Sequence, residues 1–132
     1  MTYLLDVNAL VALGFAQHQF HPRVAHWLRK ENPFQLATCS ITELGFIRVL
    51  VQTPAYGFTV AHARELLLRI KDAGSFRFTF ISDDHDSSQL PEWVKTARQI
   101  TDGHLVTLAE AHGGLLATLD RGVVGAYVIP ER

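Results

Sequence analysis

The chain has 132 residues, 48% of them hydrophobic, and a formal net charge of −1. One domain of that size buries roughly two-thirds of its unfolded surface, and two ordinary domains do not fit, so residues 1–132 read as a single domain. A lone cysteine, Cys39, excludes an internal disulfide and a thiolate zinc cage and points to the cytoplasm, while the near-neutral charge excludes a global basic field for nucleic acid.

The opening MTYLLDVNALVALGF is apolar, but it lacks a basic start and carries Asp6 within the run. It falls short of the ~18 uninterrupted apolar residues that a membrane span needs, so no membrane association is expected. Tyr3–Leu5 reads as a short strand, followed by helices over Ala9–Phe15 and Val24–Lys30, the second opened by Pro22. A second strand is expected over Phe34–Thr38. Ile41, Leu44, Ile47 and Leu50 recur at helical spacing, as do Ala63, Leu66, Leu67 and Ile70 within Val60–Lys71. Phe76, Phe78 and Phe80 alternate with Arg77 and Thr79, the period of a strand with one polar face, toward a sheet edge. Leu90–Arg98 and Asp102–His112 read as helices, the latter stopped by Gly113 and Gly114, and LLATL and Val128–Ile129 close the chain as strands. Strands alternating with helices require crossover connections, so the fold class is α/β, a three-layer α/β/α sandwich on a short, mostly parallel sheet. Sites in such sheets lie at the carboxyl ends of the strands.

Asp6 stands where the first strand runs out and Asp120 where LLATL runs out, so both project from one sheet edge. Asp102 opens a helix after Thr96–Thr101, and Glu43 lies one turn inside the helix that follows the second strand. All four acids are expected to meet at one rim. Two unit charges ~4 Å apart repel by roughly 4 kcal/mol at an effective dielectric of about 20, so such a cluster persists only with protons or cations. Oxygen ligands alone favour Mg²⁺ or Mn²⁺. Each acid also has a purely structural role open to it. Asp6 or Asn8 suits an N-cap, and Ser40-Ile-Thr-Glu43 matches a capping box. Asp102 would complement a helix dipole, and Asp120 in Asp-Arg-Gly would make a turn.

LLDVNAL near the start, SITELGFIRVL mid-chain and TDGHLVTLAEAHGGLLATLD near the end resemble the PIN-domain nucleases, and more narrowly the VapC-type toxins of toxin–antitoxin pairs. The resemblance covers essentially the whole chain. Its most specific part is the last motif, which joins an acid-opened helix to an acid-ended strand across Gly-Gly. It implies a PIN-like fold and an endoribonuclease in which Asp6, Glu43, Asp102 and Asp120 hold catalytic Mg²⁺ or Mn²⁺, with Asn8 and Thr118 as supporting polar groups. It also implies RNA as substrate, cut to leave 5′ phosphate and 3′ hydroxyl ends, and a cognate antitoxin as partner. Phe15, Phe20 and Trp27 are the candidate antitoxin-facing patch, against core packing as their default. Arg121-Gly122-Val123 departs from the commonest toxin ending, in which an aromatic follows; this bears on loop geometry and not on the acids.

Arg48, Arg98 and Arg121 lie close in sequence to these acids, each a candidate for an RNA phosphate or an ordinary solvated arginine. His104 lies two residues after Asp102, and at about 100° per helical residue the two point to different faces. Asp83-Asp84-His85-Asp86 lacks the glycine and terminal glutamate of a calcium loop and is expected to be solvated; Cys39 is expected to be buried. Near-zero net charge points to a restricted RNA, such as one tRNA or rRNA loop, and to a homodimer that assembles a basic groove. A phosphoacceptor receiver would need an acidic pair after the first strand and a lysine after the last, but Asp6 is followed by Val7 and Asn8, and the last lysine is Lys95. A catalytically inactive PIN-like module that binds RNA or protein remains as the alternative.

Overall fold

The computed structural model describes residues 1–32 and 35–131. Strands β1 (Thr2–Leu5), β2 (Gln35–Cys39), β3 (Phe78–Ile81), β4 (Gly114–Thr118) and β5 (Tyr127–Val128) form one sheet in the order β3-β2-β1-β4-β5. Every pairing is parallel. The crossovers are carried by α1 (Val7–Gly14), α2 (His21–Glu31), α3 (Ser40–Gln52), α4 (Val60–Asp72) and α5 (Ile100–Ala111).

Strand side chains alternate between faces, and the central strand supplies both layers of core. Leu5 joins Leu10, Trp27, Phe46, Leu50 and Leu67 beneath α1–α4. Its neighbour Leu4 joins Leu105, Leu108 and Leu116 beneath α5 on the opposite face. Each such side chain contributes about 1.5–3 kcal/mol when fully buried. The three-layer sandwich follows directly. Among the described residues, no helix is long and apolar enough to cross a membrane.

Pro22 opens α2 as its sequence implies. β3 lies at the sheet edge, and its Phe80 is exposed. Phe34, the expected start of the second strand, lies outside the described residues. The expected strand from Phe76 begins instead at Phe78, and the expected helix over Leu90–Arg98 does not form. Pro91 disfavours the helical conformation at Leu90. The Gln99 side chain accepts the amides of Lys95 (2.7 Å) and Thr96 (3.2 Å), leaving only short 3₁₀ turns at Ser87–Gln89 and Ala97–Gln99. Trp27 is no part of a surface patch: it is buried, with its indole N–H donating to the Tyr127 hydroxyl at 3.0 Å.

The stop after α5 divides its labour between two glycines. Gly113 takes the left-handed conformation, φ 74°. Gly114 begins β4 so close to β1 that a Cβ there would stand 2.3 Å from the Thr2 carbonyl oxygen. Because that obstacle is backbone, Gly114→Ala should overpack the central strand pair and lower the melting temperature by about 5 °C or more. A thermal melt in chelator checks this; an unchanged midpoint would mean that β1 and β4 part without cost.

Candidate active site

The two strand-end acids are set by the β1–β4 pair. Asp6 is buried and caps α1: one carboxylate oxygen accepts the Val7 amide at 2.8 Å, and the other accepts the Thr118 hydroxyl at 2.8 Å. Thr118, fully buried at the end of β4, accepts in turn from the Asn8 side-chain amide (3.1 Å) and from the Asp120 backbone amide (3.1 Å). Asn8 closes the ring by accepting the Leu119 amide at 3.1 Å. Asp120 accepts the Gly122 amide at 2.8 Å, the turn that Asp-Arg-Gly implies, and its carboxylate lines a cleft.

That cleft, of about 300 Å³, is bounded by Thr96, Arg98, Gln99, Asp102, Asp120 and Gly122. Asp102 reaches it from the first turn of α5. Burial, and then the charges of Asp6 and Asp120, push the Asp102 carboxyl above its ordinary range, and Arg98 only partly opposes them. Burial is also the main cause that raises Asp6; its bonds from Thr118 and Val7 pull the other way, and Asp120 adds to the rise. Three aspartates therefore lie in one another's field, with Arg98 as the counter-charge at Asp102.

Their chemistry fits a hard divalent cation: all donors are oxygens, and the mutual repulsion is what such an ion relieves. Among the described residues, no three or more His, Cys, Asp or Glu side chains are grouped so that they could hold a metal ion between them. An open rim is still compatible with Mg²⁺, which is usually held through one or two carboxylates and keeps several waters.

Glu43 stands apart from this trio. It forms no capping box, because α3 begins one residue early: Cys39 is the cap residue, and its amide is accepted by Thr42 Oγ1 at 3.0 Å. Glu43 is held by the Thr38 hydroxyl at 2.5 Å and the Lys71 ammonium at 2.6 Å. Sequence reasoning missed both partners. The available signal was Lys71 itself, which continues the α4 stripe of Ala63 and Leu67 with a charge where an apolar group is expected.

Among the arginines, Arg98 lines the cleft, Arg121 pairs with Glu131 at 3.0 Å, and Arg48 is exposed on α3. His104 faces away from Asp102, as its spacing implies, and bonds Asp83 at 2.5 Å. Asp83 is therefore tied to α5 at an exposed position, and Asp84 and Asp86 are exposed as well, so the run is solvated as expected. Cys39 is buried, as expected.

No protein-family model matches the chain. Aligned with individual proteins, it is 39% identical over 124 residues to ribonuclease VapC38 of Mycobacterium tuberculosis, covering 91% of this chain and 86% of that protein. The chain belongs to the VapC family. Ribonucleases VapC29 and VapC44 of the same organism are each 35% identical, over 93% of this chain and 89% of theirs. Among solved structures, M. tuberculosis VapC20, a sarcin-ricin loop cleaving toxin, superposes with a TM-score of 0.62 at 13% identity, covering 94% of this chain and 98% of that one. PAE2754 from Pyrobaculum aerophilum gives 0.61 at 23% identity, covering 98% and 84%. These two likenesses establish the VapC and PIN-type fold of the chain.

The raised carboxyls have a signed consequence for stability. A carboxyl whose folded pKa exceeds its unfolded value contributes stability below the unfolded value, about 3.9, and loses it as pH rises through the folded value. Asp102→Asn removes that loss. In chelator the variant should match wild type near pH ~4 and melt about 2–4 °C higher at pH 7, a modest gain that already discounts the partial exposure of the group. Melting curves across that range check it; a variant less stable than wild type at pH 7 would make Asp102 a structural residue.

Proposed function

We propose that the chain is an endoribonuclease that uses Mg²⁺, or Mn²⁺ in its place, at Asp6, Asp102 and Asp120 with Glu43 as fourth acid, and that it serves as the toxin of a toxin–antitoxin pair. The observation that carries this reading is the group of three aspartates, from the ends of β1 and β4 and the start of α5, gathered beside a cleft where burial and neighbouring carboxylates raise Asp6 and Asp102. Relatives named ribonucleases support it over nearly the whole chain. A bound divalent cation would supply neutralisation of the acids, orientation of a scissile phosphate and activation of a water for in-line attack.

The chain's own residues do the rest. Asp6 is held in a fixed orientation by Val7 and Thr118, and Asn8 and Thr118 keep the ends of β1 and β4 in step. Arg98, at the cleft, is the group suited to meet a phosphate that flanks the cut. With one such arginine and near-neutral net charge, recognition favours a defined tRNA or rRNA loop over bulk RNA. The structurally similar VapC20 is a toxin that cleaves one such element, the sarcin-ricin loop. A cytoplasmic setting, a homodimer and a protein antitoxin complete the proposal, with exposed Phe20 and half-buried Phe15 as antitoxin-facing candidates.

Two of the acids also have duties of their own, Asp6 as a cap and Asp120 in a turn. An inactive module would keep those duties. Incubation of the purified chain with total cellular RNA in Mg²⁺, Mn²⁺ or chelator, followed by mapping of the ends, separates the readings. Discrete cuts with 5′ phosphates should depend on the metal, and Asp6→Asn or Asp102→Asn should slow them by about 100-fold or more, the loss typical of removing a group that stabilises the transition state. Glu43→Gln should keep the fold and lose cleavage. If no cellular RNA is cut with metal present, the inactive module is the correct reading.

A further inference from the structure

Two donors end on one oxygen of Glu43. The Lys71 ammonium lies 2.6 Å from Oε2, and the Thr38 hydroxyl donates to the same atom at 2.5 Å. The ion pair is largely shielded, with Lys71 and Glu43 side chains 23% and 21% exposed. Lys71 is steadied from a second side as well, its ammonium 5.7 Å from the centre of the Phe80 ring on the edge strand. A long, rotamer-rich side chain gives up conformational freedom to be gripped in this way. Its charge meets Glu43, whereas the carboxyls that burden Asp102 are those of Asp6 and Asp120.

Glu43 is thus paired with a cation of the chain itself, whereas among the three aspartates only Asp102 is opposed, in part, by Arg98. Resting on the metal-dependent reading above, we propose that Lys71 is a positioning residue: it holds Glu43 off the aspartates, a divalent cation must draw Glu43 away from it, and Lys71 thereby sets the cation affinity of the site. The rim presents the three aspartates in place of four acids until the cation arrives. Cation binding and release of Lys71 are then one coupled step. In that step the ammonium leaves the glutamate for solvent and the face of Phe80.

Calorimetric titration of the full chain with MnCl₂ tests this without reference to cleavage. Lys71→Met and, as a second neutral variant, Lys71→Gln should bind Mn²⁺ about two- to fivefold more tightly than wild type, the range by which a partly exposed ion pair shifts an equilibrium. Lys71→Arg, which keeps the pair, should bind as wild type does. In the Glu43→Gln background, Lys71→Met should change nothing. Melting in chelator establishes that each variant is folded. Unchanged or weaker Mn²⁺ binding in the folded neutral variants overturns the proposal. So does an equal tightening in the Glu43→Gln background, because that would be general repulsion between ammonium and cation. A wild-type chain that binds no Mn²⁺ sinks the metal-dependent reading itself, an outcome distinct from neutral variants that match a wild type which binds.

Discussion

Leu5 and Ala117 are the last register pair of β1 and β4, yet the Asp6 amide still donates to the Ala117 carbonyl at 2.9 Å. That additional rung brings the ends of the two strands side by side, and the geometry of the rim hangs from it. Thr118 secures the junction. A hydroxyl has one proton to give and two lone pairs to fill, and Thr118 uses all three, donating to Asp6 and accepting from Asn8 and the Asp120 amide. A buried polar group satisfied this completely is rigid as well as costly to disturb. The acids are therefore presented by a tight hydrogen-bonded knot and not by loose loops.

The site opposes the stability of the fold that holds it. Burial and mutual repulsion raise the cost of ionising Asp6 and Asp102, so the apolar layers on both sides of β1 must offset charges gathered for another purpose. Local devices limit the burden. Asp6 recovers part of it as a helix cap, Arg98 opposes part at Asp102, and Glu43 is matched by Lys71. Thr42 takes over the capping of α3, which leaves Glu43 available for other contacts.

Much of this is legible in the sequence wherever one chemical pattern decides one structural outcome. Apolar runs that end in Asp6 and Asp120 identify parallel strands with acids on one edge, and the helical spacing in α3 and α4 leaves little choice of conformation. The stretch from Leu90 to Arg98 misleads because its apolar residues suit a helix, while Pro91 and the Gln99 side chain impose a different backbone. The cap of α3 falls one residue earlier than its sequence suggests, because Ser40 is a better intrinsic cap than Cys39 and the end of β2 decides the matter. Contacts between segments distant in the chain are the least visible. Nothing local to Glu43 announces Lys71, and nothing in the Asp83 loop announces His104.

The strand order carries a temporal consequence. β1 is synthesised before the other four strands and lies at the centre of the sheet, yet one of its two neighbours is β4, the fourth in chain order. Contacts so distant in sequence form late and slowly, after the entropy of a long closure has been overcome. Chain growth proceeds at about 5–20 residues per second, so a nascent chain spends seconds with β1 made and its β4 edge unpaired. Throughout that interval Asp6 has no Thr118 to orient it and no Asp120 beside it. A chain synthesised only through β3 thus holds Asp6 and Glu43 but not the rim, which forms once α5 and β4 have followed.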